Sequence, residues 1–206
     1  MTRQCTNLSE DRLKGAKAEI EICDVLKNHG YDTIRLQYYS IDKAASIRNG
    51  EELIVLGDVF VISPTNELFV IEVKEKYPNK YGSYGLEEYR LNHYLSFEHL
   101  TKIPVIYAIK DTQDNGKWYW NTFKDLLLMQ PKQFPGDSWV DGNKEKVNIV
   151  YFKKIWFKSL IEKNLVNKSW HGYYNLHLYT LIANIKSLNG EEKFKEILKL
   201  IKNLLN

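Results

Sequence analysis

Two apolar runs, residues 53–62 and 68–74, flank the turn Ser63-Pro64-Thr65-Asn66. Val, Ile and Phe on either side of strong turn formers predict a β-hairpin. What narrows the fold is the presence of Asp58, Glu72 and Lys74 among those apolar residues. Ionised groups on a mostly buried sheet are costly unless they are paired. Side chains alternate across a strand, so Glu72 and Lys74 share one face while Ile71 and Val73 turn to the other. Asp58, on the antiparallel neighbour, falls beside them. The hairpin has to bring the three charges together or leave them in water.

The elements around the hairpin set its context. Leu13, Ala16, Ile20, Cys23 and Leu26 recur at helical spacing, with Ser9 as a cap and Gly30 as a stop. Residues 33–39 alternate like a strand, and 40–52 read as a polar loop or insertion. After the hairpin come a Gly-, Tyr- and Lys-rich loop at 77–85, a helix at 86–100 and a buried strand at 103–109 opened by Pro104. A short strand at 118–120 and a helix at 123–129 follow. Residues 131–146 read as a long loop and 147–152 as a strand. The rest is mostly helical and closes on the stripe Phe194, Ile197, Leu198, Ile201, Leu204 and Leu205. The expected architecture is an α/β core with a central mixed sheet flanked by helices over residues 1–130. A mostly helical C-terminal extension, 131–206, packs on it.

Composition excludes several classes. No run of about 18 apolar residues and no secretory leader at Met1-Thr2-Arg3-Gln4 is present, so a cytoplasmic protein with no membrane role is expected. Two cysteines, Cys5 and Cys23, do not make a disulfide framework or a zinc site, and Cys23 is expected in the core. Without a phosphate-cradling Gly-rich loop or a Gly-x-Ser-x-Gly elbow, no nucleotide cofactor and no serine hydrolase is expected. Net charge is only +3, but residues 144–168 hold seven lysines against Glu145 and Glu162, interleaved with Tyr151, Phe152, Trp156 and Phe157. Such a stretch suits a phosphate backbone with stacking neighbours, or a solvated face with its aromatics turned inward.

Two carboxylates and an ammonium converging on a hairpin suit divalent-metal phosphodiester hydrolysis. Mg²⁺ is usually held by one or two carboxylates and keeps positions open for water and phosphate. Asp58 and Glu72 are the candidate ligands, the main-chain carbonyl of Val73 a third, and Lys74 the residue that orients or deprotonates the water. A cross-strand ion pair on an exposed hairpin face is the competing reading.

The first helix adds Lys14-Gly15-Ala16-Lys17-Ala18-Glu19, which ends before Gly30-Tyr31. Together with Asp58 and Glu72-Val73-Lys74, this resembles the PD-(D/E)XK nuclease superfamily over about residues 10–110, in motif layout most like the archaeal Holliday junction resolvases. The resemblance implies a restriction-endonuclease-like fold and a DNA endonuclease that uses Mg²⁺ or Mn²⁺ and works as a homodimer. It also implies that Glu19 joins Asp58, Glu72 and Lys74, as a ligand directly or through water. The proline of the superfamily's name is replaced by Gly57. The long stretches at 40–52 and beyond Pro131 favour site-specific cleavage over junction resolution. A junction resolvase remains an alternative, as does a nucleic-acid-binding protein that retains the fold without turnover. Candidate DNA contacts are Lys76, Lys80 and Tyr81 in a loop expected to be mobile until DNA binds, Arg90 (with His93) on the second helix, and Lys153 and Lys154. Glu21, two residues round the helix from Glu19, is expected to be a solvated acid; His171 and His177 are expected to be structural.

Overall fold

The hairpin predicted around residues 63–66 forms and lies inside the central sheet. A computed structural model describes residues 8–36, 46–49, 52–140, 143–159 and 176–205. Helix α1 (Leu8–Lys27) leads to β1 (Asp32–Arg35), β2 (Ser46–Asn49) and β3 (Glu52–Val55). The hairpin is β4 (Val59–Ile62) with β5 (Leu68–Lys76). Then come β6 (Ser83–Glu87), α2 (Glu88–Thr101), β7 (Val105–Asp111), β8 (Lys117–Thr122) and α3 (Phe123–Leu128). The chain continues through β9 (Lys132–Val140), β10 (Asn143–Lys153), β11 (Lys158–Ser159), α4 (Leu176–Ser187) and α5 (Gly190–Leu205).

The central sheet has the order β1-β4-β5-β7-β8-β11. Only β5 and β7 run parallel. A parallel neighbour needs a crossover, and β6 with α2 supplies it. The protein is therefore a mixed α/β fold with a central mixed sheet flanked by helices. One face of the hairpin, with Val59, Val61, Phe69, Ile71 and Val73, packs with Ala18, Ile22, Cys23 and Leu26 of α1. The other, with Phe60, Ile62 and Val70, packs with Leu91, Tyr94 and Phe97 of α2.

Several expectations are corrected. The buried stripe of α1 is Ala18, Ile22, Cys23 and Leu26; Leu13 and Ile20 are exposed. The helix is turned so that Glu19 is buried, a choice that two interleaved sets of apolar residues left open. It also starts at Leu8, so Ser9 lies inside it and is not its cap. The polar loop expected at 40–52 contributes β2, which pairs with β3 as a separate hairpin. The loop expected at 131–146 is the hairpin β9–β10, attached to β6. Its exposed, lysine-rich strands and Pro135 masked the strand pattern, and the C-terminal part is thus stranded before it becomes helical. The stripe of α5 packs on the core as expected, with Ile197, Leu200 and Ile201 buried in it. The strand expected over 33–39 is described as β1 and Leu36; residues 37–39, His171 and the basic residues from 160 to 168 lie outside the described residues, as does the side chain of His177.

One backbone position governs the hairpin's end. Gly57 adopts φ +80°, and a Cβ there would lie 2.6 Å from Val70 Cγ1. We expect Gly57→Ala to lower stability by about 2 to 4 kcal/mol in urea unfolding, from left-handed strain plus overpacking. Gly15→Ala, where a Cβ meets nothing within 4 Å, is expected to be neutral or slightly stabilising.

Candidate active site

Asp58 follows the Gly57 turn and sits one residue before β4. Its main-chain N–H donates to the Ile71 carbonyl at 3.0 Å, and its carbonyl accepts from Leu36 N–H at 2.9 Å. Its Oδ2 accepts the N–H of Val73 at 2.7 Å. A proline, locked near φ −65°, cannot occupy the Gly57 conformation, which explains the residue found before Asp58.

The three hairpin charges meet as the alternation predicted. The Lys74 ammonium pairs with Glu72 Oε1 and stands 4.0 Å from Asp58 Oδ2. Asp58 and Glu72 are buried, 5% and 1% exposed, which rules out the reading as an exposed surface pair. Glu72 Oε2 accepts from the Tyr94 hydroxyl at 2.5 Å. Burial works to raise the Glu72 carboxyl, but Lys74, then Arg90, and the bonds from Lys74 and Tyr94 hold it below its ordinary range. Burial works against the Lys74 charge, and Glu72 with Asp58 more than restores it, so this amine titrates above its ordinary value. Asp58 is left over. Burial first and the Glu72 charge second push it up to about 8. At neutral pH the cluster is an ionised Lys74–Glu72 pair beside a protonated Asp58.

Among the described residues no three His, Cys, Asp or Glu side chains converge on a ready metal cage. The donors that do converge are oxygen only: Asp58, Glu72 and a main-chain carbonyl. The N–H and C=O of one strand residue point the same way. Val73 turns its N–H to Asp58 and away from β7, so its carbonyl faces the same end of β4. Glu72 Oε1 is buried and its partner is the Lys74 ammonium. This hard-oxygen set fits Mg²⁺ or Mn²⁺, and Asp58, Glu72 and the Val73 carbonyl are the residues that would hold it.

Glu19 is buried at 4% exposure, but its Oε2 accepts both Nε (3.1 Å) and an Nη (2.9 Å) of Arg35. Burial raises its carboxyl despite Arg35, and the charges of Lys74 and Glu72 also act on it. It lies in the field of the site with one oxygen committed to Arg35. Glu21 points elsewhere, as expected, yet it is not simply solvated: it pairs with Lys110 and accepts from Trp118 Nε1 at 3.0 Å.

The candidate DNA contacts divide. Lys80 and Tyr81 are exposed, with Lys80 5.0 Å from the Tyr81 ring centre, and Lys153 is exposed. Arg90 is 39% exposed, 3.7 Å from Glu87, and its charge acts on Glu72, so it belongs beside the carboxylates. Lys76 turns back to the Gly85 carbonyl. Lys154 is committed to Asp111 at 2.6 Å and Asp114 at 3.0 Å. His93 holds a buried, unpartnered Nδ1 and packs edge-on to Tyr89. Sequence reasoning missed Tyr94 and Arg35. The signal for Tyr94 was its place one helical turn after Arg90 on the face of α2 that covers β5, where a buried hydroxyl needs a partner.

No family model matches this chain, and no curated protein matches it. Among solved structures it is similar to Hjc of Archaeoglobus fulgidus, a Holliday junction resolvase from an archaeal hyperthermophile. The two share 13% identity with a TM-score of 0.47, covering 76% of this chain and 98% of that one. At those values the likeness carries no argument, and the reading of the site rests on its own geometry. No helix among the described residues is long and apolar enough to cross a membrane.

Two outcomes follow from the site. Asp58 binds its proton more tightly folded than unfolded, so its contribution to stability falls as pH rises from about 4 to about 8. Metal-free Asp58→Asn should therefore gain stability relative to the parent across that window, measured by urea melts; a constant difference would show that Asp58 ionises normally. Tyr94→Phe leaves a buried Glu72 oxygen without its donor and should cost about 1 to 3 kcal/mol in the same assay.

Proposed function

We propose that this chain is a metal-dependent deoxyribonuclease that hydrolyses phosphodiester bonds at specific sites in DNA. The observation that carries the reading is the Asp58–Glu72–Lys74 cluster, which sets two buried carboxyl groups beside one ammonium. A bound Mg²⁺ or Mn²⁺ supplies Lewis-acid stabilisation of the phosphate and lowers the pKa of a coordinated water.

The chain's own residues do the rest. Tyr94 and the neighbouring Arg90 fix and balance Glu72, and the Val73 N–H fixes Asp58. Lys74, kept protonated by its two neighbours, orients the water and donates to a phosphate oxygen; it is better suited to this than to removing a proton. Arg90 supplies positive charge near the same carboxylate. Glu19, held by Arg35, contributes negative charge at the edge of the site and would help to hold a cation there. Lys80, Tyr81 and Lys153 take the DNA beyond the cut. The active species is a homodimer that cuts both strands, with residues 1–130 carrying the chemistry and 131–206 extending the DNA-facing surface.

The second reading is junction resolution by the same site. What favours it is the order of motifs from Lys14-Gly15 through Glu19, Asp58 and Glu72-Val73-Lys74. Plasmid, linear duplex and four-way junctions incubated with Mg²⁺ or Mn²⁺ separate the possibilities. We expect cleavage that EDTA abolishes. Lys74→Ala and Asp58→Ala should each reduce the rate at least about 100-fold, with DNA binding kept in Lys74→Ala. Preference for the junction selects resolution. Intact DNA in every case, or full cleavage by both variants, overturns the proposal.

A further inference from the structure

The loop after β5, rich in Gly, Tyr and Lys, is tied down in the free protein. Asn79 Oδ1 accepts the N–H groups of Tyr81 at 2.9 Å and Ser83 at 3.1 Å. Asn79 N–H donates to the Ser83 carbonyl at 2.8 Å, and Gly82 N–H to the Asn79 carbonyl at 2.9 Å. Gly82 takes φ +69°, and its own carbonyl accepts Lys154 N–H at 2.8 Å. That bond joins the loop to the 3-10 turn Lys154–Trp156 after β10. The second turn is braced in its own right. Lys154 bonds Asp111, whose side chain is fully buried, and Asp114, and it stands 4.6 Å from the Tyr119 ring centre.

On these two joined turns stand Tyr81, 76% exposed, and Ile155, 83% exposed, the most exposed large hydrophobic residues among those described. A rigid turn that holds a bare aliphatic and a bare aromatic side chain in water does so against the hydrophobic effect. The surroundings are cationic. Lys80 lies against the Tyr81 ring, Lys153 and Lys158 are exposed, and neither 79–82 nor 153–158 contains an acid. The nearby Asp111 and Asp114 share Lys154 and keep one net negative charge, against the three exposed lysines Lys80, Lys153 and Lys158. Apolar tips flanked by lysines match a polyanion whose interior is an apolar stack. Side chains of this kind enter base steps, and aromatic side chains stack on unpaired bases. Tyr81 lies seven positions after Lys74, at most about 25 Å of chain. One helical turn of duplex, about 34 Å, spans both.

We propose that Tyr81 and Ile155 form a preorganised wedge that unstacks a base step of the bound DNA, with Lys80 and Lys153 on the adjoining phosphates. The proposal rests on the nuclease reading of Asp58, Glu72 and Lys74. The test uses the full-length chain carrying Lys74→Ala, which binds without cutting. Its probes are a linear duplex and a four-way junction with 2-aminopurine placed at successive positions. Binding is expected to raise fluorescence at one step in at least one of these DNAs. Adding Tyr81→Ala and Ile155→Ala should remove that rise and weaken binding at least about fivefold, with the salt dependence unchanged. Lys80→Ala with Lys153→Ala should instead reduce the salt dependence. Both apolar positions are exposed, and thermal melting confirms that the variants fold. Bound DNA with no unstacking at any position, or a double variant that binds and unstacks like its parent, overturns the wedge. If the unmodified chain still cuts plasmid DNA in that case, the wedge alone fails. A chain that neither binds nor cuts DNA overturns the nuclease reading as well.

Discussion

The hydrogen bond from Val73 N–H to Asp58 Oδ2 holds the hairpin's end and the candidate site in one piece. β4 pairs with β5 as far as Val59 opposite Ile71, and the chain arrives there through the left-handed turn at Gly57. Ladder pairing stops at that point, although β5 continues to Lys76 inside the sheet. Without an acceptor the Val73 N–H would be left unsatisfied where water does not reach, at a cost of about 1 to 3 kcal/mol. A carboxylate takes the place of the missing strand. Strand pairing and site geometry are therefore one requirement, because the acceptor that completes the sheet is the group set beside Glu72 and Lys74.

The charges follow from that placement. Two carboxyl groups are buried at the end of β5 beside a partly exposed ammonium, and the low-dielectric setting makes every unbalanced charge costly. The protein balances them with one pair and one proton. Lys74 and Glu72 ionise together, while Asp58, facing a carboxylate and little solvent, keeps its proton to about pH 8. A divalent cation held by Asp58 and Glu72 would let both carboxylates ionise, and its binding would then release a proton and strengthen as pH rises.

The hairpin was legible because its signals are local. A Ser-Pro-Thr-Asn turn fixes which runs pair, and period-two alternation puts Glu72 and Lys74 on one face whatever the rest of the fold does. Cys23 in the core and the buried strand at β7 were legible for similar reasons. The phase of α1 was not, since Ile20 and Ile22 offer two apolar stripes and only packing against β5 selects the one that buries Glu19. The β9–β10 hairpin escaped because its strands are half solvated and Lys132, Pro135, Lys144 and Lys146 interrupt the apolar alternation. Arg35, Arg90 and Tyr94 were missed or undervalued as partners of the acids because those contacts join distant segments. Nothing within a short window of sequence reports them.

Tyr94 also ties the site to the core. Its ring stacks on Phe123 at 5.4 Å, nearly parallel, and Phe123 stacks in turn on Tyr107 of β7. The same side chain that donates to Glu72 is thus one layer of an aromatic stack between α2, the start of α3 and the sheet. A carboxylate held by a group with that much buried surface cannot swing freely, because moving it breaks close packing as well as a hydrogen bond. Glu72 is therefore positioned by the core of the domain. That suits a ligand whose task is geometric, and it leaves adjustment at the site to Lys74 and Arg90, the members of the cluster with partial access to solvent.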